Sequence, residues 1–470
     1  MFQKKTDSRL RRVWSLIRLA LSGQELDFTQ GDLKKGIWIL AIPMVLEMVL
    51  ESVFALVDVI WVSRLGAAQV AVVGLTESIN TLVYALGIGL SMGTTAMVSR
   101  RIGEKDKQGA QRAASQAIWL GVLASLPIML LGLFGARWVL GLMGAEPEVV
   151  EVGLGYTQWL LGGNLCIIQL FIINAIFRGA GDPSLAMRSL WFANGLNLIL
   201  DPCLIFGWGP FPELGVTGAA VATNVGRAAG VLFQLTLLMR GRGRLALKWK
   251  DWAWKPKVMS RLAQLSAGGI GQFLVATSSW VFLVRISAQF GSEALAGYTI
   301  GIRVLMFTLL PAWGFSNAAA TLVGQNLGAG QPDRAEKAVW MTGKINTVFM
   351  LTVGLIFFLA AEPIAALFQV EEPVAQVAAD CLRWISLGYP FYGLGMVLVQ
   401  AFNGAGDTLK PTYLNLICFW AIEIPLAYLL ALPLGLGPLG VFLAIASCES
   451  LMTVFAWLVF RRGTWKHIQV

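Results

Sequence analysis

Apolar residues run in long stretches along almost the whole chain, and short polar clusters separate them. A helix rises about 1.5 Å per residue, so about 20 apolar residues cross a hydrocarbon layer of about 30 Å. Twelve stretches reach that length: 36–62, 70–98, 113–134, 150–177, 184–208, 215–239, 260–288, 294–324, 336–360, 374–402, 410–433 and 437–460. Many exceed what a bilayer needs, so they tilt or protrude. The pattern predicts an all-α integral membrane protein with twelve transmembrane helices.

Composition narrows the function. The chain has 470 residues, 56% apolar and 13% charged, against about 45–50% and about 25% in soluble domains. So few charges cannot clothe a soluble protein of this size. A soluble enzyme, a disordered chain and a nucleic-acid binder are excluded, despite a net charge of +9. The one histidine, His467, lies next to the C-terminus, which argues against an intramembrane enzyme and against a histidine metal site. The five cysteines sit in apolar runs without CxxC spacing and read as small hydrophobes. No cofactor and no metal site is expected.

Charge placement sets the orientation. Twenty-eight of the 36 Lys and Arg fall in the segment 1–35, the connections on the same face and the end of the chain. The opposite connections hold only Arg64 and Arg137, with acids such as Glu146, Glu362 and Glu371. Lys and Arg collect on the cytosolic side, so both termini are expected in the cytosol, in a cytoplasmic (inner) membrane. The stretch RLRRVWSLIRLALSG at 9–23 is basic and amphipathic, without a cleavage site. It reads as an interfacial helix or a partly disordered tail rather than a signal peptide.

The halves repeat at a spacing of 225 residues. FRGAGD at 177–182 recurs as FNGAGD at 402–407, Gly66 pairs with Gly291, Gly103 with Gly328, and Gly215-Val216 with Gly440-Val441. Two six-helix bundles follow, an N lobe over 36–240 and a C lobe over 259–460. A basic segment 1–35 precedes them, a basic linker 241–258 joins them, and a tail 461–470 follows. Each repeat has an even number of spans, so the lobes share one orientation. Parallel repeats of this kind place a substrate site between the halves.

Ionisable groups inside a membrane need a reason. Glu47, Glu51 and Asp58 fall within about 40° of one another at 100° per residue, and Asn194, Asn197 and Asp201 within about 60°. Pro202 removes the amide that would bond the Leu198 carbonyl. Acids, amides and a free carbonyl can hold a proton or a sodium ion, the latter at Asp58, Asn197 and Asp201. In the other half the aligned positions are Leu283, Ala276 and Gln272, and with a two-residue gap Asp201-Pro202 falls on Ile424-Pro425. The asymmetry assigns ion coupling to the N lobe, at Asp58, Asp201, Asn197 and Asn194. Glu51, Glu47, Glu423 and Gln272 are expected on the substrate cavity, although Glu47 lies near the interface. Glu77, Glu423 and Glu449 read as partners of Arg227, Arg285 or Arg303. Asp182 and Asp407 read as helix N-caps. Phe54, Tyr84, Phe171, Phe282, Met306 and Trp313 are candidate cavity aromatics and methionines.

The segments LAIPMVLEMVLESVFALVDVIWVSRLG (40–66), FRGAGDP (177–183), NLILDPCLIFG (197–207), GVTGAAVAT (215–223), TLVGQNLGAG (321–330) and FNGAGDT (402–408), in this order, resemble the multidrug and toxic compound extrusion (MATE) family. The resemblance covers almost the whole chain. It implies a two-lobe secondary transporter exporting amphipathic organic cations against protons or sodium, and the chain is expected to work as a monomer. It also implies a titrating pair at Asp58 and Asp201. A second branch of the family uses acids in spans 7 and 10, where this chain has Gln272 and Tyr392. Two alternatives remain: a lipid-linked oligosaccharide flippase, and an exporter of an anionic or neutral metabolite, which cavity-facing arginines would favour.

Overall fold

The computed structural model describes residue 11, residues 14–23 and residues 26–470. Its spans are labelled in chain order: α1 (Leu33–Val62), α2 (Gln69–Gly103), α3 (Lys107–Leu142), α4 (Pro147–Ala180), α5 (Pro183–Phe206), α6 (Val216–Arg240), α7 (Pro256–Phe290), α8 (Ser292–Gly328), α9 (Pro332–Leu359), α10 (Glu372–Ser386 and Tyr389–Ala405), α11 (Leu409–Ala431) and α12 (Pro438–Arg461). Eleven are long and apolar enough to cross a membrane, and α10 makes twelve if its two pieces, bent by 59°, count as one. The predicted helical class and span count hold.

The repeat is written in the backbone. Gly181 and Gly406 end α4 and α10 in the left-handed region, at φ 89° and 87°. Gly66 and Gly291 open α2 and α8 at φ 116° and 97°, both with ψ 174°. These positions disfavour an ordinary side chain, so the second glycine of each GAGD turn is a conformational requirement. One pairing changes. Gly215 (φ 57°, ψ −137°) matches Gly437 (φ 59°, ψ −142°) in conformation, rather than Gly440.

The aspartates of the GAGD turns do not cap with their side chains. Asp182 stands at the N-cap of α5 without a side-chain cap bond. Its carboxylate accepts instead from the Arg244 amide at 2.7 Å, tying the linker to the helix start. Asp407 pairs with Lys410, and Thr408 holds the cap position.

Residues 14–22 form a helix. Leu16, Leu19 and Ala20 pack with Ile37, Leu40, Phe315 and Leu322, so this helix covers a core shared by α1 and α8. The linker lies on α3, where Ser115 donates to the Asp251 carbonyl (2.6 Å) and Trp119 to the Trp252 carbonyl (3.2 Å).

The lobes meet in the basic halves of their helices. Gly89 and Gly93 of α2 leave no room for a Cβ against Ile270 and Ser266 of α7. Gly103 and Gly328 do the same against the backbones of Gln325 and Arg100. Thr321 donates to the Arg178 carbonyl (3.2 Å) and Gln325 to that of Gly179 (2.9 Å). Among the described residues, the hydrogen bonds joining the lobes all lie at this end.

Candidate functional site

Two cavities open from the cleft between the lobes and share Met92, Leu310, Trp313 and Gln400 on their walls. The one in the N lobe encloses about 210 Å³ and the one in the C lobe about 370 Å³.

The N-lobe cavity is the more polar of the two. Glu47, Glu51, Tyr84, Phe171, Asn194 and Arg227 line it. Asn194 donates to Glu51 at 2.9 Å, joining α5 to α1. Glu47 is 1% exposed, accepts from Asn174 at 3.2 Å and lies 3.7 Å from Arg178. Gln234 of α6 donates to Asn174 at 2.6 Å and holds that amide in place. Arg227 donates to the Tyr84 hydroxyl at 3.2 Å, within electrostatic reach of Glu51 and Glu77.

Beyond the cavity lies the expected acidic pair. Asp201 is fully buried and within electrostatic reach of Asp58. The Asn197 amide, oriented to satisfy its neighbours, donates to Asp201 Oδ2 at 2.7 Å and accepts from the Thr223 amide at 2.8 Å. Asp58 is half-buried, with Glu77 and Arg227 as its other charged neighbours and its Oδ1 without a hydrogen-bond partner. Burial away from water disfavours an unpaired charge, so this group of oxygens suits a proton or a small cation.

The C-lobe cavity is apolar and aromatic. Gln272, Trp280, Met306, Trp313, Tyr392 and Glu449 line it. Glu423 is 2% exposed and lies behind this wall. Of the aromatic and methionine candidates, Tyr84, Phe171, Met306 and Trp313 reach a cavity. Phe54 is buried, and Phe282 meets Trp420 edge to face at 5.3 Å.

The expected arginine partnerships are not formed. Arg285 and Arg303 are exposed, and among the described residues Glu77, Glu423 and Glu449 make no ion pair within 4 Å. Only Glu77 has an arginine, Arg227, within electrostatic reach. Sequence reasoning passed over Asn174, Gln234 and Thr223, which are neutral and so escape a search for charges. Arg178 falls just past the span 150–177 in the sequence, yet its guanidinium turns back to Glu47.

The sequence profile described as MatE matches the chain twice, over residues 43–203 and 269–429. The "Probable multidrug resistance protein NorM" of Thermotoga maritima is 27% identical, over 96% of this chain and 97% of its own. The "FAD transporter" of Shewanella oneidensis is 26% identical over 87% of this chain and 90% of its own. A solved structure titled as the outward-facing conformation of a multidrug resistance MATE family transporter superposes with a TM-score of 0.88, at 27% identity, covering 93% of this chain and 98% of that one. Two matches in tandem, one in each half of a twelve-span bundle, place this multi-pass membrane protein in the MatE family of transporters.

Proposed function

We propose that this protein is a secondary active multidrug exporter that exchanges amphipathic organic cations for protons or sodium ions. The observation that carries the reading is buried Asp201, held by Asn197 and within reach of Asp58, next to a cavity bearing Glu47, Glu51 and Asn194. The basic end faces the cytosol, so contacts at that end describe a cleft closed to the cytosol and open outward.

In the outward-open form, a proton or sodium ion binds at Asp58 and Asp201, with Asn197 supplying an amide group, while Asn194, expected at the same site, holds Glu51 on the cavity wall instead. Neutralising the pair weakens the hold on a cation in the N-lobe cavity, and the cation leaves. The seam at the basic end then opens as the lobes rock. Ion and substrate are exchanged in the cytosol, and the cycle repeats. Coupling requires each ligand to bind the two forms with different affinity. Gln272 and the aromatic wall of the C-lobe cavity provide a second, apolar surface for a flat cation.

The test is uptake of a cationic dye into inverted membrane vesicles, with the proton and sodium gradients collapsed separately. Uptake should fail with one of them, and in Asp58→Asn and Asp201→Asn. Full gradient-driven uptake by both variants sinks the N-lobe assignment. A second reading has support in Arg227 and Arg178 on the N-lobe cavity wall, together with a relative named as an FAD transporter. On that reading the substrate is an anionic metabolite. Vesicles that ignore the dye but accumulate a dinucleotide would favour it.

A further inference from the structure

The C lobe contains a carboxylate pair with no part in the scheme above. Glu423 ends a π-helical stretch of α11, Leu416–Glu423, and Glu449 stands on the neighbouring α12. The two are within electrostatic reach of each other. Each has its Oε2 buried without a hydrogen-bond partner. The other groups facing them are Ser279 from α7, Tyr298 from α8, Tyr389 and Tyr392 from α10, Cys418 from α11 and Cys448 from α12. None brings a positive charge.

Their position repeats that of the N-lobe site. Leu204 and Ile205 carbonyls accept from Leu214 and Gly215, as Leu430 and Ala431 accept from Leu436 and Gly437. Ile205 therefore matches Ala431, a spacing of 226, one more than at Gly181 and Gly406. The π stretch supplies that extra residue, and such insertions are frequent at functional sites. The spacing carries Asn197, the partner of Asp201, onto Glu423. In the last span, Asn224 against Gly163 matches Ala446 against Gly388, a spacing of 222 that Gly215 and Gly437 share. It carries Arg227 onto Glu449. Where the N lobe has an amide and a guanidinium, the C lobe has two acids.

Two carboxylates within electrostatic reach of each other, each with a buried, unpartnered oxygen, cannot both stay charged without a counter-charge. We propose that Glu423 and Glu449 bind one monovalent inorganic cation, a shared proton or a sodium ion, as a second ion site in the C lobe. The site stands on its own geometry, and only its part in coupling rests on the exporter reading.

The test uses the purified full chain in detergent, read by radiolabelled sodium binding and by the infrared band of protonated carboxyl groups. Glu423→Gln and Glu449→Gln should each lower sodium affinity at least tenfold at one site, or else remove a protonated-carboxyl band that sodium does not affect. The first result identifies a sodium site and the second a proton site. Asp201→Asn should leave either signal in place, and its own transport defect reports separately on the N-lobe reading. Both glutamine variants matching the parent in both readouts would overturn the proposal. Should the variants not fold, labelling of the parent by a hydrophobic carbodiimide decides. Glu423 or Glu449 should react at low pH and be protected by sodium or by high pH, and reaction indifferent to both overturns the site.

Discussion

Arg178 and Glu47 stand 3.7 Å apart, with side chains 10% and 2% exposed. Arg178 belongs to the FRGAGD turn and Glu47 to the cavity, so the pair links the seam between the lobes to the substrate space. Removing one partner of a buried ion pair costs about 3–5 kcal/mol because the other charge is left alone. Arg178→Met should lower the thermal unfolding midpoint in detergent well below that of Glu47→Gln, which keeps a group able to bond Asn174. Midpoints of both variants equal to that of the parent would mean that the pair contributes nothing to the fold.

Asn197 bridges Asp201 and Thr223. Asn197→Leu keeps the approximate volume and removes both bonds, leaving the Thr223 amide and Asp201 Oδ2 unsatisfied at a cost of about 1–3 kcal/mol each. It should reduce dye export and weaken its dependence on the ion gradient. Thr223→Val removes one hydroxyl but not the backbone amide, so its effect on vesicle uptake should be smaller. The reverse order would place the important contact on the hydroxyl.

The helical class and the number of spans were legible because apolar run length alone decides what can cross a bilayer. So was the sharing of one helix face by Glu47, Glu51 and Asp58, and of another by Asn194, Asn197 and Asp201, because 100° per residue fixes it, whereas the pairing of Asp58 with Asp201 across two helices came from the family resemblance. The C-lobe acids were not. A spacing of 225 relaxed by a two-residue gap set Asp201 against Ile424, but the π stretch in α11 adds a residue and a shorter α11–α12 connection removes four. The spacing thus drifts to 226 and then to 222. Glu423 and Glu449 then read as unpaired acids in want of arginines. Local hydrogen bonding, which residue identities do not reveal, sets the register.

Gly103 and Gly328 are repeat mates, and each admits the backbone of the opposite helix where a Cβ would stand. Adding a methyl group to a tight contact costs about 1–3 kcal/mol, and about 1.4 kcal/mol changes a population tenfold. Gly103→Ala acts on the closed form of this seam alone. It should raise the fraction of molecules open at the basic end, read as longer distances between spin labels on the α2 and α8 ends. Unchanged distances, with unchanged stability, would mean that the helices slide apart without leaving the closed state.

The segment after α12 closes over the same seam. Arg100 and Arg101 of α2 donate to the carbonyls of Ile468 and Val470, and Arg261 of α7 to that of Gln469. Trp465 is fully buried and stacks on Phe460 at 4.7 Å. Lys466 lies 2.6 Å from Glu336, and that hydrogen bond raises the lysine above its usual range. A raised lysine stabilises the docked segment at pH below its ordinary value, and the contribution is lost as pH climbs through the folded one. Limited proteolysis after α12 should therefore stay slow at neutral pH and quicken in strong alkali. Lys466→Met should cut at the fast rate at every pH. Proteolysis of that variant as slow as in the parent would assign the docking to Trp465 and the arginines alone.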